Sequence, residues 1–196
     1  MAATRSQSKG IGKRGGRGAK SGAERERKFI VHQAPPQLTR YPHRLLEQGY
    51  LAMSQSGDGG EGGDAEVRLR RAGKRHVLTV KQGHGQSRLE KEVPLPPASA
   101  RILWPLTRGQ RIQKVRYTIP YDGVKIEVDV YRGKLRGLAT AEVEFPSAAA
   151  MKRFRPPGWF GREVTGVKAF SNSELARNGW RRKRRRARSS KSRRTG

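Results

Sequence analysis

The chain has 196 residues, 44 Lys and Arg against 16 Asp and Glu, and a formal net charge of +28. Its length suits one domain. The absence of cysteine excludes a disulfide framework and a thiolate metal site. No apolar run reaches the length of a membrane span and the start lacks the hydrophobic core of a secretory signal, so no membrane attachment and a cytoplasmic location are expected.

Residues 1–23 hold six Lys/Arg and no acid. With Arg14-Gly15-Gly16-Arg17-Gly18 they read as a disordered basic tail that cannot build a core. Gly15–Ser21 approaches a phosphate-loop pattern and fails it. Arg14 replaces the first glycine, Ala19 stands where another is needed, and no strand precedes it.

A domain is expected from residue 24 to 178. Glu24–Val31 carries charges at alternate positions before an apolar end. On a strand, Glu24, Glu26 and Lys28 point to one side, about 7 Å apart. Two carboxylates and a lysine on one face form a half-site for a metal ion and a phosphate. Further strands are predicted near 48–54, 65–72, 76–83, 87–95, 111–121, 124–132 and 138–146, and all of these but 48–54 show period-two alternation. Arg68 and Arg70 alternate with Val67 and Leu69, and Thr79 and Lys81 with Leu78 and Val80. Glu90 and Glu92 are two apart. Lys114 and Arg116 alternate with Val115 and Tyr117, Glu127 and Asp129 with Val128 and Val130, Glu142 and Glu144 with Val143 and Phe145.

Between these strands, Gln55–Asp64 reads as a Gly/Asp-rich hairpin loop without the closing acid of a calcium loop. Asp122-Gly123 marks a tight hairpin. Pro97–Thr107 is predicted helical, with Ile102, Leu103, Trp104 and Leu106 buried. Ser147–Phe154 is a predicted short helix with Ser147 as N-cap, and Ser171–Asn178 another, capped at Ser171 or Asn172. The four histidines, His32, His43, His76 and His84, show no ligand spacing. Residues 179–196 form a second basic tail, and 177–196 hold eleven Lys/Arg with no acid.

Two architectures fit the alternation. One is a β-sandwich with a solvated charged face. The other is a barrel whose charges line the interior while apolar faces pack on outer helices. Same-face pairs of one sign favour the barrel. Like charges repel unless an opposite charge lies between them, and a polyphosphate with divalent metal supplies both signs.

The order of these motifs, with Gln48-Gly49-Tyr50-Leu51, Trp159–Thr165 and Phe170–Ala176, resembles a CYTH domain, a member of the triphosphate tunnel metalloenzymes. That superfamily includes bacterial inorganic triphosphatases, thiamine triphosphatases and class IV adenylyl cyclases. The resemblance spans roughly residues 24–178. It implies a mainly β, α+β fold: an eight-stranded antiparallel barrel forming a triphosphate tunnel, with a few short helices outside.

On that footing Lys28, Arg68, Arg70, Lys81, Lys114 and Arg116 are expected to bind the triphosphate. Glu24, Glu26, Glu142, Glu144 and Asp129 are expected to hold Mg²⁺ or Mn²⁺, with Glu127 as a further ligand or an outer acceptor. All-oxygen ligands favour such hard ions. Lys114 is the expected general base, because crowding by cations lowers a lysine pKa, and Tyr50 is expected to hydrogen-bond that lysine or the attacking water. Glu90 and Glu92 pair with basic residues without touching metal, and Arg162 and Lys168 cover the mouth.

The expected reaction is metal-dependent hydrolysis of inorganic tripolyphosphate. Thiamine triphosphate hydrolysis, adenylyl cyclisation, and a non-catalytic polyphosphate- or RNA-binding module are the alternatives. The tails are expected either to bind a polyanion, such as RNA, DNA or polyphosphate, or only to solubilise.

Overall fold

The computed structural model describes residues 25–53, 65–82 and 89–180. Glu24, most of both basic tails and the Gln55–Asp64 loop lie outside the described residues. Within them the chain forms one antiparallel sheet of nine strands. The strands are β1 (Glu26–Val31), β2 (His43–Met53), β3 (Ala65–Ala72), β4 (Arg75–Gln82), β5 (Leu89–Pro94), β6 (Arg111–Tyr121), β7 (Val124–Tyr131), β8 (Ala139–Glu144) and β9 (Phe160–Glu163). Their spatial order is β5-β4-β3-β2-β6-β7-β8-β1-β9. Three short helices accompany them: α1 (Pro97–Leu103), α2 (Ala148–Arg153) and α3 (Asn172–Asn178).

Two points correct the predicted barrel. The sheet has nine strands rather than eight, and among the described residues its edges, β5 and β9, do not pair with each other. The added strand, β9, is short and contains a glycine, so it carries little periodic signal. Gly161 is needed there because a Cβ would lie 2.4 Å from the His32 ring. The sheet nevertheless curves about its charged face. Tyr50 on β2 and Glu142 on β8 lie within electrostatic reach although β6 and β7 run between them, and so do Arg70 on β3 and Arg116 on β6.

β2 begins at His43, earlier than alternation suggests. Its opening places adjacent leucines on opposite faces: Leu46 is buried opposite Lys114, while Leu45 remains exposed. At the β6–β7 hairpin, Asp122 and Gly123 both take positive φ, as a tight turn requires.

The outer face of the sheet builds the main core. Phe29, Val31, Ile119, Ile126, Val128, Ala141 and Val143 pack with Phe145 and Phe154. Partly buried Ala150 and Met151 of α2 close over this layer. The Ser147 hydroxyl accepts from the Ala150 N–H at 3.1 Å and starts α2.

The predicted helix at 97–107 is shorter than expected: α1 ends at Leu103 and a 3₁₀ turn runs over Trp104–Thr107. Pro105 has no N–H to continue an α-helix. Ile102 and Leu106, expected to be buried, are 74% and 67% exposed. The turn is held instead through Thr107, which packs on Gly49, where a Cβ would come within 2.4 Å of the threonine hydroxyl. No helix among the described residues is long and apolar enough to cross a membrane.

A second cluster joins Tyr50, Ile112 and Tyr131 to Leu135, Leu138, Leu175 and Ala176. It seats α3 over one end of the charged face. The Ser171 hydroxyl caps α3 by accepting from the Glu174 N–H at 3.2 Å.

Candidate active site

Strand register sets the charged side chains on a common face. Lys28 lies opposite Glu142, Glu142 opposite Glu127, and Arg116 opposite Asp129. Arg44 faces Arg116, Tyr50 faces Arg68, Arg68 faces Thr79, Thr79 faces Glu92, and Lys81 faces Glu90. Direct partners in antiparallel strands share a face. The alternation therefore produces one ionic surface running from β5 to β1.

Its β6–β7–β8–β1 side is a dense network. Arg116 forms a fork on Asp129, with Nε to Oδ1 at 2.7 Å and Nη2 to Oδ2 at 2.6 Å. It also donates to Glu142 Oε2 at 2.7 Å and to Glu127. Lys114 Nζ donates to Asp129 Oδ2 at 2.5 Å, and both side chains are fully buried. Lys28 Nζ meets Glu142 Oε1 at 2.9 Å. From α3, Asn172 Oδ1 accepts from Tyr131 at 2.7 Å and from Lys114 at 3.4 Å.

These surroundings shift the titrating groups. Burial pushes the Lys114 ammonium below the ordinary lysine value; Asp129 opposes this and Arg116 reinforces it. Burial favours a neutral Glu142, but Lys28, Lys114 and Arg116 outweigh it and hold that carboxyl far below the usual range. Burial raises the Tyr50 phenol well above its ordinary value. The Tyr50 hydroxyl donates to Gln48 Oε1 at 3.5 Å.

The β3–β4–β5 side is looser. Arg70 meets Glu92 at 2.9 Å, Arg68 lies 3.6 Å from the same carboxylate oxygen, and Lys81 meets Glu90 at 2.8 Å. Thr79 links Arg68 to Glu92 through hydrogen bonds of 3.1 and 3.2 Å. Burial and the neighbouring Arg68 hold the Arg70 guanidinium below its ordinary value, with Glu92 opposing. Buried Arg68 Nε has no hydrogen-bond partner among the described residues. Two guanidinium groups sharing one carboxylate, with a buried donor still unsatisfied, are suited to an anion.

The carboxylates expected to bind metal lie at the other end of the row. Glu26 is opposite Glu144, and Glu142 and Glu144, two positions apart on β8, share a face. Glu144 is exposed. Both oxygens of Asp129 are engaged by Lys114 and Arg116. Among the described residues, no three His, Cys, Asp or Glu side chains converge on a point that could hold an ion. The available set is all oxygen, which is the chemistry of a hard divalent ion. Arg162 packs near Phe170, at 5.6 Å from its ring centroid, and Lys168 opens the 3₁₀ turn before α3.

The sequence offered Asn172 only as a possible helix cap and did not place it against Lys114 and Tyr131, a contact that depends on α3 folding back over β6. It also missed the Glu163–Thr165 pair. Glu163 takes two hydrogen bonds from Arg27, at 3.0 and 2.6 Å, while the Thr165 hydroxyl donates to Glu163 and accepts from the Lys28 N–H. Together they fix the strand that carries Lys28. Only the E-x-T spacing beside a predicted closing segment could have pointed to them.

An antiparallel sheet with paired carboxylates and basic side chains along one ionic face agrees with the resemblance read from the sequence, although among the described residues the sheet is not closed. No family model matches the chain. The inorganic triphosphatase of Nitrosomonas europaea is 40% identical to it over 156 residues, covering 78% of this chain and 96% of the relative. That of Acetivibrio thermocellus is 38% identical over 160 residues, covering 80% and 95%. The crystal structure of the inorganic triphosphatase NE1496 superposes with a TM-score of 0.60 at 38% identity, covering 78% of this chain and 96% of that one. The chain belongs to the inorganic triphosphatase family, hydrolases of phosphoanhydride bonds.

Proposed function

We propose that this chain hydrolyses inorganic tripolyphosphate on the ionic face, with Mg²⁺ or Mn²⁺ as cofactor and the curved sheet as the tunnel wall. The observation that carries this reading is the division of the face. Arg68 and Arg70 share Glu92 on β3–β5, whereas Glu26, Glu142 and Glu144 gather on β1 and β8. Arg68, Arg70, Lys81, Lys28 and Arg116 bind phosphate oxygens, and arginine suits bidentate contact.

Glu26, Glu142 and Glu144, with Glu24 preceding them in sequence, would hold the metal. When bound, it neutralises phosphate charge and activates the phosphoanhydride toward water. Asp129 and Glu127 hold Arg116, so that this cation faces the substrate without reorganising during reaction, and Asp129 positions the Lys114 amino group. Lys114 serves as the base: burial and the neighbouring Arg116 lower its pKa from the ordinary lysine value, which favours the neutral amine that accepts a proton. Tyr50 supports this end of the face through Gln48 and the α3 cluster.

Phosphate release from tripolyphosphate, ATP and thiamine triphosphate, each with Mg²⁺ or Mn²⁺ and with chelator, tests the reading. Tripolyphosphate should be turned over fastest and chelator should abolish the rate. Faster turnover of thiamine triphosphate or ATP would reassign the substrate, and full turnover in chelator would remove the metal.

A further inference from the structure

We propose that a cavity between β2, β6 and the 3₁₀ turn Gly133–Leu135 binds a small phosphate anion of pyrophosphate size, at a site separate from the ionic face.

Strand register sets the two sites apart. Glu47 on β2 lies opposite Gln113 on β6 and opposite Arg71 on β3. Lys114 follows Gln113 along β6 and therefore points to the other side of the sheet. The cavity has a volume of about 170 Å³, and its lining includes Glu47, Trp104, Arg111, Gln113, Arg132 and Lys134.

Three of these residues are cations held only by neutral groups. Arg111 Nε donates to the Thr107 hydroxyl at 2.7 Å and Nη2 to the Trp104 carbonyl; Nη1 has no partner among the described residues. The guanidinium carbon of Arg111 lies 4.6 Å from the Trp104 ring centroid, and so does that of Arg71. Lys134 Nζ donates to the Ala176 carbonyl and, at 3.4 Å, to the Gly109 carbonyl. The exposed Arg132 side chain has no partner among the described residues. Glu47 is the one acid of the lining, and it lies 3.7 Å from Arg71.

The ionic face is arranged the other way. There Lys28, Arg68, Arg70, Lys81, Lys114 and Arg116 each meet a carboxylate. At the cavity no carboxylate among the described residues meets Arg111, Arg132 or Lys134. Like charges gathered around one space repel until an anion lies between them. Carbonyl and hydroxyl acceptors fix the Arg111 and Lys134 head groups without neutralising them. An anion therefore meets donors already in place and loses little affinity to ordering them.

Size and charge name the ligand. The volume is below the roughly 300–1,000 Å³ of sites that take drug-sized molecules, so a nucleotide does not fit inside. Pyrophosphate is compact, carries more charge than sulfate, and offers enough oxygens for two guanidinium groups. Hydrolysis of tripolyphosphate to pyrophosphate and phosphate would supply it.

Isothermal titration calorimetry of the full chain with sodium pyrophosphate, in chelator and at constant ionic strength, tests the site. Arg132→Glu should weaken one binding component by about 10-fold or more, and Arg132→Gln by less. Lys152→Glu makes the same charge change on α2, away from the cavity, and should alter affinity by no more than about two-fold in physiological salt. The component should persist in Arg68→Ala/Arg70→Ala, which empties the ionic face of two phosphate ligands. Adenosine diphosphate, the same diphosphate with a nucleoside attached, should bind about 10-fold more weakly or less well still. Tm and initial-rate kcat/KM for tripolyphosphate should be unchanged in Arg132→Glu and Arg132→Gln.

Wild-type pyrophosphate affinity in both Arg132 variants would overturn the proposal. Loss of the component in Arg68→Ala/Arg70→Ala would move it to the ionic face, and equal weakening by Lys152→Glu would reduce it to net charge. Equal affinity for adenosine diphosphate would put the anion on an open surface. Each of these outcomes would also remove the cavity as its site.

Discussion

The two sides of the ionic face are written in the same sequence pattern and behave differently. On β6, β7, β8 and β1 the charges are buried and interlocked: Lys114 and Asp129 are fully buried, and Arg116 contacts three carboxylates. On β3, β4 and β5 the charges pair sparsely, and the Glu92 side chain is 44% exposed. The reverse of the sheet accounts for the difference. Behind the first side lies the Phe29–Phe154 core with α2. Behind the second, Val80, Leu89, Val93, Ile102 and Leu106 remain exposed. A packed backing fixes the strands and lowers the local dielectric, so charges there are strongly coupled. The dense side is suited to hold reacting groups in fixed positions. The loose side is suited to receive phosphates of a substrate that must enter and leave.

The contrast breaks most completely at Arg116. Arg116→Ala leaves Asp129, Glu127 and Glu142 without their shared partner in a buried setting. Removing one member of such a pair costs about 3–5 kcal/mol. The variant should show a large drop in Tm and in guanidinium midpoint, and kcat/KM for tripolyphosphate should fall sharply. A variant with wild-type Tm would show that the network is not what stiffens this side.

Lys114→Arg comes next. Arginine keeps the charge but gives up no proton, so kcat should fall by roughly 10²-fold or more. Activity that needs a neutral amine rises with pH through the lysine pKa. Because burial lowers that pKa, the rise should lie below the ordinary lysine range in the wild type and vanish in the variant. An unchanged pH profile with full kcat would remove Lys114 as the base. A Tm measurement distinguishes this from crowding by the larger side chain.

The acid end follows. Glu26→Gln and Glu144→Gln preserve shape and remove a charge, and each should cost on the order of 10² in rate, by analogy with removing a group that stabilises transition-state charge. High metal concentration should partly restore it. Mn²⁺ titration followed by electron paramagnetic resonance gives a readout independent of turnover and should show weaker binding. Wild-type rate and Mn²⁺ affinity in both variants would place the metal elsewhere.

The sequence carried more of the face than of its frame. Period-two alternation located seven strands and put Lys28, Arg68, Arg70, Lys81, Lys114, Arg116 and Glu142 on one surface, because register makes a face of alternate positions. It did not locate β9, which is too short to show a period, or the start of β2, where Leu45 and Leu46 serve opposite faces. Burial of Ile102 and Leu106 was inferred from apolarity alone, but the helix that carries them packs through other residues. Asn172 could not be read either, since its contact with Lys114 spans 58 positions of chain. Local patterns encode which way a side chain points; they do not encode which distant element meets it.

The smallest expected effect tests the loose side. Arg70→Ala removes a guanidinium that lies beside Arg68 and pairs with a half-exposed carboxylate. Arg68 retains its hydrogen bond to Thr79 and its proximity to Glu92, so the local structure keeps its partners. Exposed pairs contribute about 0–1 kcal/mol, and Tm should move little. In the role proposed for it, the guanidinium contacts phosphate before the transition state as well as in it, so its removal should raise KM for tripolyphosphate about 10-fold with kcat nearly constant. Arg70→Lys should recover part of the KM, because it restores charge without the planar fork. A fall in kcat at constant KM would mean that Arg70 acts on the reacting phosphate, and the two sides of the face would then share the chemistry rather than divide it.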